Sequence, residues 1–322
     1  MGTPAPLRNR GNPVNAFDSL TGALAALLIL PGGLALMLIG LIYEWANRKL
    51  IARLQNRLGP RWFQPLADVI KLLAKQSIVP AAAHPTLFAL LPMIALASVL
   101  TSALALPMLG LAPAYAFPGD LIVTVCLLSL LTLCLSLAGF GTDSSFGLVG
   151  AMRALMQLFS YEAPFLLALL GPAAAAGSWQ IDVIMRYAEA NPWMLFTQPL
   201  GFFVAVVGLM AKLEMAPFDA PEAHTEIVSG PLTEYGGRHL ALFRLSKDTA
   251  LVIGLTLVAG LYLGGIADPL TFLVKTLALL VLITGVQALF ARLRIDQSTT
   301  LWWRYVMILL LVQWLVMMVS RG

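Results

Sequence analysis

The chain has 322 residues, 59% of them hydrophobic and only 11% charged, and a mean hydropathy of +0.86. That composition excludes a soluble globular domain and points to a helical protein that crosses a bilayer many times. The apolar runs are unbroken over about 20 residues, which excludes a transmembrane barrel of short alternating strands. The pI of about 9.2 is explained by membrane topology rather than by nucleic-acid binding.

Residues 1–18 read as a polar, Pro/Gly-containing tail. The first span covers about 19–43 and carries Pro31-Gly32-Gly33, which predicts a kink. This first apolar run is too long for a cleavable signal peptide. A basic connection, 44–83, follows. Within it, residues 62–75 place Trp62, Phe63, Leu66, Val69, Ile70, Leu72 and Leu73 against Asp68, Lys71 and Lys75. That pattern predicts a short amphipathic helix lying at the membrane interface. Further spans are expected at about 85–107, 120–140, 151–174, 194–215, 248–266, 268–290 and 300–319, with a surface helix at QIDVIMRYAEA between the fourth and fifth. The fold class is therefore an all-α integral membrane protein with eight spans in one domain, 19–322, and both termini on one side. Cys126 and Cys134 lie in one apolar span without metal spacing and read as packing residues.

The basic residues choose the orientation. Assigning Lys and Arg alternately to the two faces puts fifteen of the 20 on one face, with only Arg8, Arg10, Arg186 and Arg321 opposite and Lys275 inside the seventh span. That bias places connections 44–83 and 212–247 in the cytoplasm and both termini outside.

The chemistry concentrates in residues 213–237, LEMAPFDAPEAHTEIVSGPLTEYGG. This stretch holds Glu214, Asp219, Glu222, Glu226 and Glu234, five of the chain's 16 acids. Pro217 and Pro221 stop a helix there and impose irregular backbone at the membrane edge, an arrangement that lines cavities or ion paths. Ionisable residues at membrane depth include Glu44, Arg153, Glu162, Glu214, Lys247, Asp248 and Lys275. Lys275 reads as an interfacial or structurally paired residue. Glu162 lies nine residues from Arg153, too far to pair along one helix, and requires a partner on another helix or a proton. Arg53, Arg57 and Arg61 recur every fourth residue and would share one face of a helix. No nucleotide-binding loop, Ser/His/Asp arrangement or CxxC pair occurs, and His84, His224 and His239 all lie away from span centres. No cofactor or metal is expected in this chain.

The stretches PFDAPEAHTEIVSGPLTEYGG (217–237), RLQNRLGP (53–60), ADVIKLLAKQSIVP (67–80) and SYEAP (160–164) resemble subunit 1 of respiratory complex I, also called the H subunit of NADH-quinone oxidoreductase. That family includes the membrane subunits of energy-converting group 4 nickel-iron hydrogenases and formate hydrogenlyases. Lys75-Gln76 stands where complex I members usually read Lys-Glu, and the loop after Gly59-Pro60 is short. Both features, with SGPLTEYGGRHLALF, are similar to the hydrogenase branch.

The resemblance implies a non-catalytic inner-membrane subunit that anchors a hydrophilic iron-sulfur arm and passes its redox signal to antiporter-like and small membrane subunits. It also implies that Glu162, Glu214, Asp219, Glu222 and Glu226 are coupling acids for protons or sodium. Arg53, Arg57, Arg61, Glu234, Tyr235 and Arg238 would dock the arm or line a cavity. Iron-sulfur clusters with nickel-iron or flavin would belong to partner subunits, and no quinone is assigned. The alternatives are subunit 1 of a quinone-reducing complex I, a stand-alone secondary transporter and a purely structural anchor.

Overall fold

The structure is a computed structural model and describes residues 33–81 and 83–319. The tail, most of the Pro31-Gly32-Gly33 segment and the first half of the expected first span lie outside the described residues. Ten helices carry the architecture among the described residues: α1 (Leu34–Leu54), α2 (Gln64–Ala74), α3 (Pro85–Ala103), α4 (Asp120–Phe140), α5 (Ser145–Ala176), α6 (Ile181–Ala190), α7 (Pro199–Lys212), α8 (Gly237–Tyr262), α9 (Pro269–Leu289) and α10 (Ile295–Val319). Five of them, α3, α4, α5, α9 and α10, are long and apolar enough to cross a membrane. The chain is an all-helical integral membrane protein.

Helix α8 is the post around which the others stand. Every residue from Thr249 to Tyr262 is buried, as expected of a helix apolar on all sides. It packs against α1, α3 and α9, while α4, α5 and α7 form the adjoining layer. Close approach depends on small residues, as is usual between membrane helices. At Gly40 of α1, a Cβ would fall 2.9 Å from the Asp248 carbonyl group of α8. Away from this core the helices present apolar side chains outward. Leu270, Val274 and Val281 on α9, and Ile308, Leu311 and Leu315 on α10, are all exposed, which suits a lipid solvent.

The expected amphipathic helix is present as α2, which buries Pro65 and Val69 and leaves Leu66, Ile70 and Leu73 outward. Several boundaries differ from expectation. Helix α1 runs on to Leu54 instead of ending near residue 43, so Arg48, Lys49 and Arg53 ride on it. It stops there, with Asn56 at φ 56°. The helix expected to align Arg53, Arg57 and Arg61 therefore does not continue: Arg53 is helical, and the other two lie in the following loop. Helix α8 begins at Gly237, well before residue 248, because the basic segment Arg238–Lys247 extends the same helix beyond its apolar part. The fifth span is broken into the turn Met194–Thr197 and α7. Helix α7 has 14 residues and reaches only about 21 Å at 1.5 Å per residue, less than the roughly 30 Å hydrocarbon core.

The shortness of α7 positions the site. After Lys212 the chain leaves the helix, and Glu214 takes a left-handed backbone (φ 53°). The segment 213–236 then folds back across the ends of α4, α5 and α8 as short turns, Ala220–Glu222, His224–Ile227 and Gly230–Leu232. Gln157 of α5 pins both arms of this excursion, donating to the Ala211 carbonyl at 2.9 Å and the Phe218 carbonyl at 2.8 Å.

Candidate coupling site

Three acids, Glu162, Glu214 and Glu222, gather around two lysines in two clusters. In the first, Lys212 at the end of α7 reaches Glu162 of α5 at 2.9 and 3.1 Å and Ser129 of α4 at 2.6 Å. Ser129 also donates to Glu162. The ammonium group lies 5.6 Å from the centre of the Tyr161 ring and 5.4 Å from that of Phe165, close enough for cation–π attraction. The interhelical partner required by Glu162 is thus Lys212.

In the second cluster Lys247 of α8 bridges two carboxylates, Glu214 Oε2 and Glu222 Oε1, each at 2.5 Å. Glu214 is 8% exposed, and its second oxygen, Oε1, has no hydrogen-bond partner among the described residues. Burial pushes the Glu214 carboxyl above the usual carboxylate range, opposed by Lys247 and reinforced by the negative charge of Glu222. Glu222 is held below that range: burial acts upward on it too, but Lys247, His224 and Arg244 outweigh it. Two carboxylates beside one cation are thereby driven apart in proton affinity, the pattern that distinguishes a proton-holding group from an ionised neighbour.

This second cluster forms one wall of a cavity of about 600 Å³ between α1, α2, α8 and the acidic stretch. Five carboxylates line it, Glu44, Asp68, Glu214, Glu222 and Asp248, against three basic side chains, Arg48, Arg244 and Lys247. Arg48 is itself shared by Glu44 at 2.6 Å and Asp68 at 3.4 Å. The excess of carboxylates makes the cavity favourable to cations and to protons.

Asp219 and Glu226 are placed differently. Arg292, in the loop between α9 and α10, makes a two-pronged contact with Asp219 at 3.0 and 3.1 Å and approaches Glu226 at 3.6 Å. Arg153 of α5 holds Glu226 at 2.7 Å. These pairs, half-buried except for the exposed Glu226, lie around a second hollow lined by Arg153, Arg292, Arg294 and Asp296. They tie the acidic stretch to its neighbours, and the structure does not bring them onto the cavity wall.

A family model described as NADH dehydrogenase matches residues 26–318. The chain belongs to that family, the subunit 1 family of complex I. Among its curated relatives, the H subunit of NADH-quinone oxidoreductase from Carboxydothermus hydrogenoformans is 32% identical over 305 residues, covering 89% of this chain and 87% of that protein. The corresponding protein of Dehalococcoides mccartyi (strain 195) is 34% identical over 278 residues, covering 83% and 78%. Among solved structures, a chain of the membrane-bound sulfane sulfur reductase, an archaeal respiratory membrane complex, superimposes with a TM-score of 0.83 at 25% identity, covering 92% of this chain and 98% of the other.

The remaining candidate residues of this complex I subunit 1 relative separate by exposure. Arg53, Arg57, Arg61, Glu234 and Arg238 are exposed, and Arg238 donates to Ser77 at 3.2 Å. Tyr235 is buried instead: it stacks on Phe88 with ring centres 4.0 Å apart and lines the cavity. Lys275 donates to the carbonyls of Gly264 and Gly265, each at 2.8 Å, closing the end of α8. That is the structural pairing read from its sequence position. The sequence marks Lys247 and Asp248 as ionisable at membrane depth and Lys212 as a cation within the acidic cluster but assigns none of them a partner, and it misses Arg292. Each carried a signal, a charge at the end or start of an apolar segment, but the partners of Lys212, Lys247 and Arg292 lie at least 25 residues away.

Proposed function

We propose that this chain is the membrane anchor and coupling subunit of a redox-driven proton or sodium pump of the complex I and group 4 hydrogenase superfamily. In this reading eight spans put both termini outside and the acidic stretch in the cytoplasm. The exposed basic loop around Arg53, Arg57 and Arg61 docks a hydrophilic iron-sulfur arm. A redox event in that arm alters the cavity, the buried carboxylates change proton occupancy, and the signal passes to antiporter-like and small membrane subunits. The redox groups, nickel-iron or flavin with iron-sulfur clusters, belong to the partners. The hydrogenase-type branch is favoured by Lys75-Gln76 and by the short loop after Gly59-Pro60, and the superposition over 92% of this chain on a chain of the sulfane sulfur reductase supports a place in a respiratory membrane complex. A quinone-reducing complex I is the second reading, favoured by the curated relatives, which are NADH-quinone oxidoreductase subunits.

The observation that carries the proposal is the Glu214–Lys247–Glu222 cluster on the cavity wall. A solvated loop or an inert anchor has no need of a buried carboxylate and a half-buried one on one ammonium. The test is Glu214→Gln in the assembled complex. Ion pumping into sealed vesicles should fall sharply while subunit content stays unchanged, and full pumping by a fully assembled variant would remove Glu214 from the relay. The co-purifying chains decide the branch: a nickel-iron subunit marks the hydrogenase type, a flavin-containing NADH-oxidising arm marks complex I, and purification alone marks a transporter.

A further inference from the structure

We propose that Lys247 is a positioning residue of the coupling site: by bridging Glu214 and Glu222 it sets how tightly Glu214 holds an exchangeable proton. The inference rests on the reading that Glu214 relays protons, and it adds the group that sets the proton's affinity.

The geometry is that of one cation shared by two anions. Lys247 Nζ lies 2.5 Å from each carboxylate, so a fully ionised cluster carries one excess negative charge on the half-buried cavity wall. At such short range that excess is costly, and binding one proton removes it. The two acids are not equivalent. Glu214 hangs on strained backbone just past the end of α7, and its Oε1 is buried without a partner among the described residues. Glu222 sits on a turn facing His224 and Arg244 as well as Lys247. The proton therefore belongs on Glu214 and the full negative charge on Glu222. The other charged groups facing the cluster are Glu44 and Arg48 of α1, Asp68 of α2 and Asp248 of α8. Among these the carboxylates outnumber the arginine and add to the pull on a proton.

The step balances without electron transfer. A proton from cavity water adds to the Glu214 carboxylate and makes the neutral acid. Lys247 keeps its three protons and its charge and is left paired with Glu222. Release returns the proton to water and restores the bridge. Because Glu214 follows the end of α7, Glu222 lies in the acidic stretch and Lys247 belongs to α8, each proton exchange also changes how firmly the end of α7 is tied to α8. The same contact reads in both directions, so movement of the acidic stretch imposed by a docked arm shifts the proton.

The test is the pH profile of ion pumping by the complete complex in sealed vesicles, with subunit content measured in each sample. K247M removes the nearest cation, so Glu214 holds its proton more tightly and the profile moves to higher pH, by about one unit or more, a tenfold loss of occupancy control at fixed pH. E222Q removes the neighbouring negative charge, so the profile moves to lower pH. K247R keeps the charge, so its profile stays in place whatever its height. Opposite shifts in K247M and E222Q are a result that a merely structural lysine does not give. An assembled K247M complex with the wild-type profile overturns the proposal. Where K247M does not assemble, E222Q and K247R carry the test, and an unshifted E222Q profile overturns it. These outcomes are separable from the parent reading, which fails only if E214Q pumps normally.

Discussion

Lys212 and Glu162 stand 50 positions apart in the chain and meet inside it, Nζ to Oε2 at 2.9 Å, with the lysine side chain 3% exposed and the glutamate 23%. Breaking a buried pair by removing one partner leaves the other charge uncompensated, at a cost of about 3–5 kcal/mol, whereas removing both costs much less. The two halves of the pair are unequal because Glu162 retains access to water and Lys212 does not. E162Q, which strands the buried ammonium, should therefore lower the melting temperature of the detergent-solubilised complex more than K212M. The double variant should recover most of the loss. A loss in the double variant equal to the sum of the two single losses would show that the two groups are not energetically coupled.

The acidic stretch is pressed against α5 at a point where neither side has room for a side chain. A Cβ on Gly150 would lie 2.6 Å from Gly230 Cα and from Pro231 Cδ, and Gly230 has φ 53° with its missing Cβ directed into the Pro221 carbonyl. Gly230→Ala must move backbone on both sides and adopt a left-handed conformation as well. It should displace the 213–236 segment, open the cavity and abolish assembly with the hydrophilic arm. Gly150→Ala should be milder, with a loss of about 1–3 kcal/mol typical of overpacking. Normal assembly and stability of Gly230→Ala would contradict this packing.

Much of this was legible in the sequence, and the parts that were not share a physical cause. Hydropathy places α3, α4, α9 and α10 well, because a long unbroken apolar run has few other fates in a bilayer. It misplaces the ends of α1 and α8, since a helix continuing into a basic, solvated segment loses its apolar signature without losing its hydrogen bonds. The acids of the site were visible from their cost at membrane depth. Their division was not. Glu214 and Glu222 turn to Lys247 on the cavity wall, and Asp219 and Glu226 turn to arginines of α5 and of the loop before α10. That division depends on how a short α7 and a loop pinned by Gln157 fold back, which no local pattern encodes. The partners of the lysines were hidden for the same reason: next to an apolar run, a lone lysine reads as an interfacial anchor until the fold shows what it meets.

The Glu226 carboxyl is held below the usual carboxylate range, first by the hydrogen bond from Arg153 and then by its charge, with a smaller contribution from Arg292. A depressed folded-state value means that the ion pair stabilises the folded loop at pH values above the ordinary glutamate value of 4.5, and that this support is lost as pH falls through the lower, folded value. Hydrogen-exchange protection of residues 217–227 should therefore hold from neutral pH down to the ordinary glutamate range and fall only below it. E226Q should remove that part of the acid response. The effect should weaken in high salt, because the pair is exposed. An acid response identical in wild type and E226Q would exclude the pair as its source.

Orientation can be read at Gln55, which is exposed just past the end of α1. With connection 44–83 in the cytoplasm, a cysteine at Gln55 should react with a membrane-impermeant maleimide only after cells are permeabilised. Cys126 is also exposed, on α4, so the labelling is done in a C126S background. Reaction in intact cells would invert the topology and place the acidic stretch outside.

Arg53, Arg57 and Arg61 no longer share a helix face, yet all three remain exposed where α1 gives way to the loop leading to α2. Neither arginine in the loop has a carboxylate partner among the described residues, and Arg53 has none either. Three fully charged guanidinium groups with free forks are suited to carboxylates on a soluble partner or to lipid phosphates. The two occupants separate by experiment. If they grip the arm, changing all three to Gln should release the iron-sulfur subunits into the soluble fraction at ordinary salt and leave this chain in the membrane, and raising the ionic strength should release the wild-type arm in part. If they hold lipid headgroups, the arm stays bound in the triple variant and only the retention of anionic lipid falls. Full retention of the arm by the triple variant would therefore end the docking role of this loop.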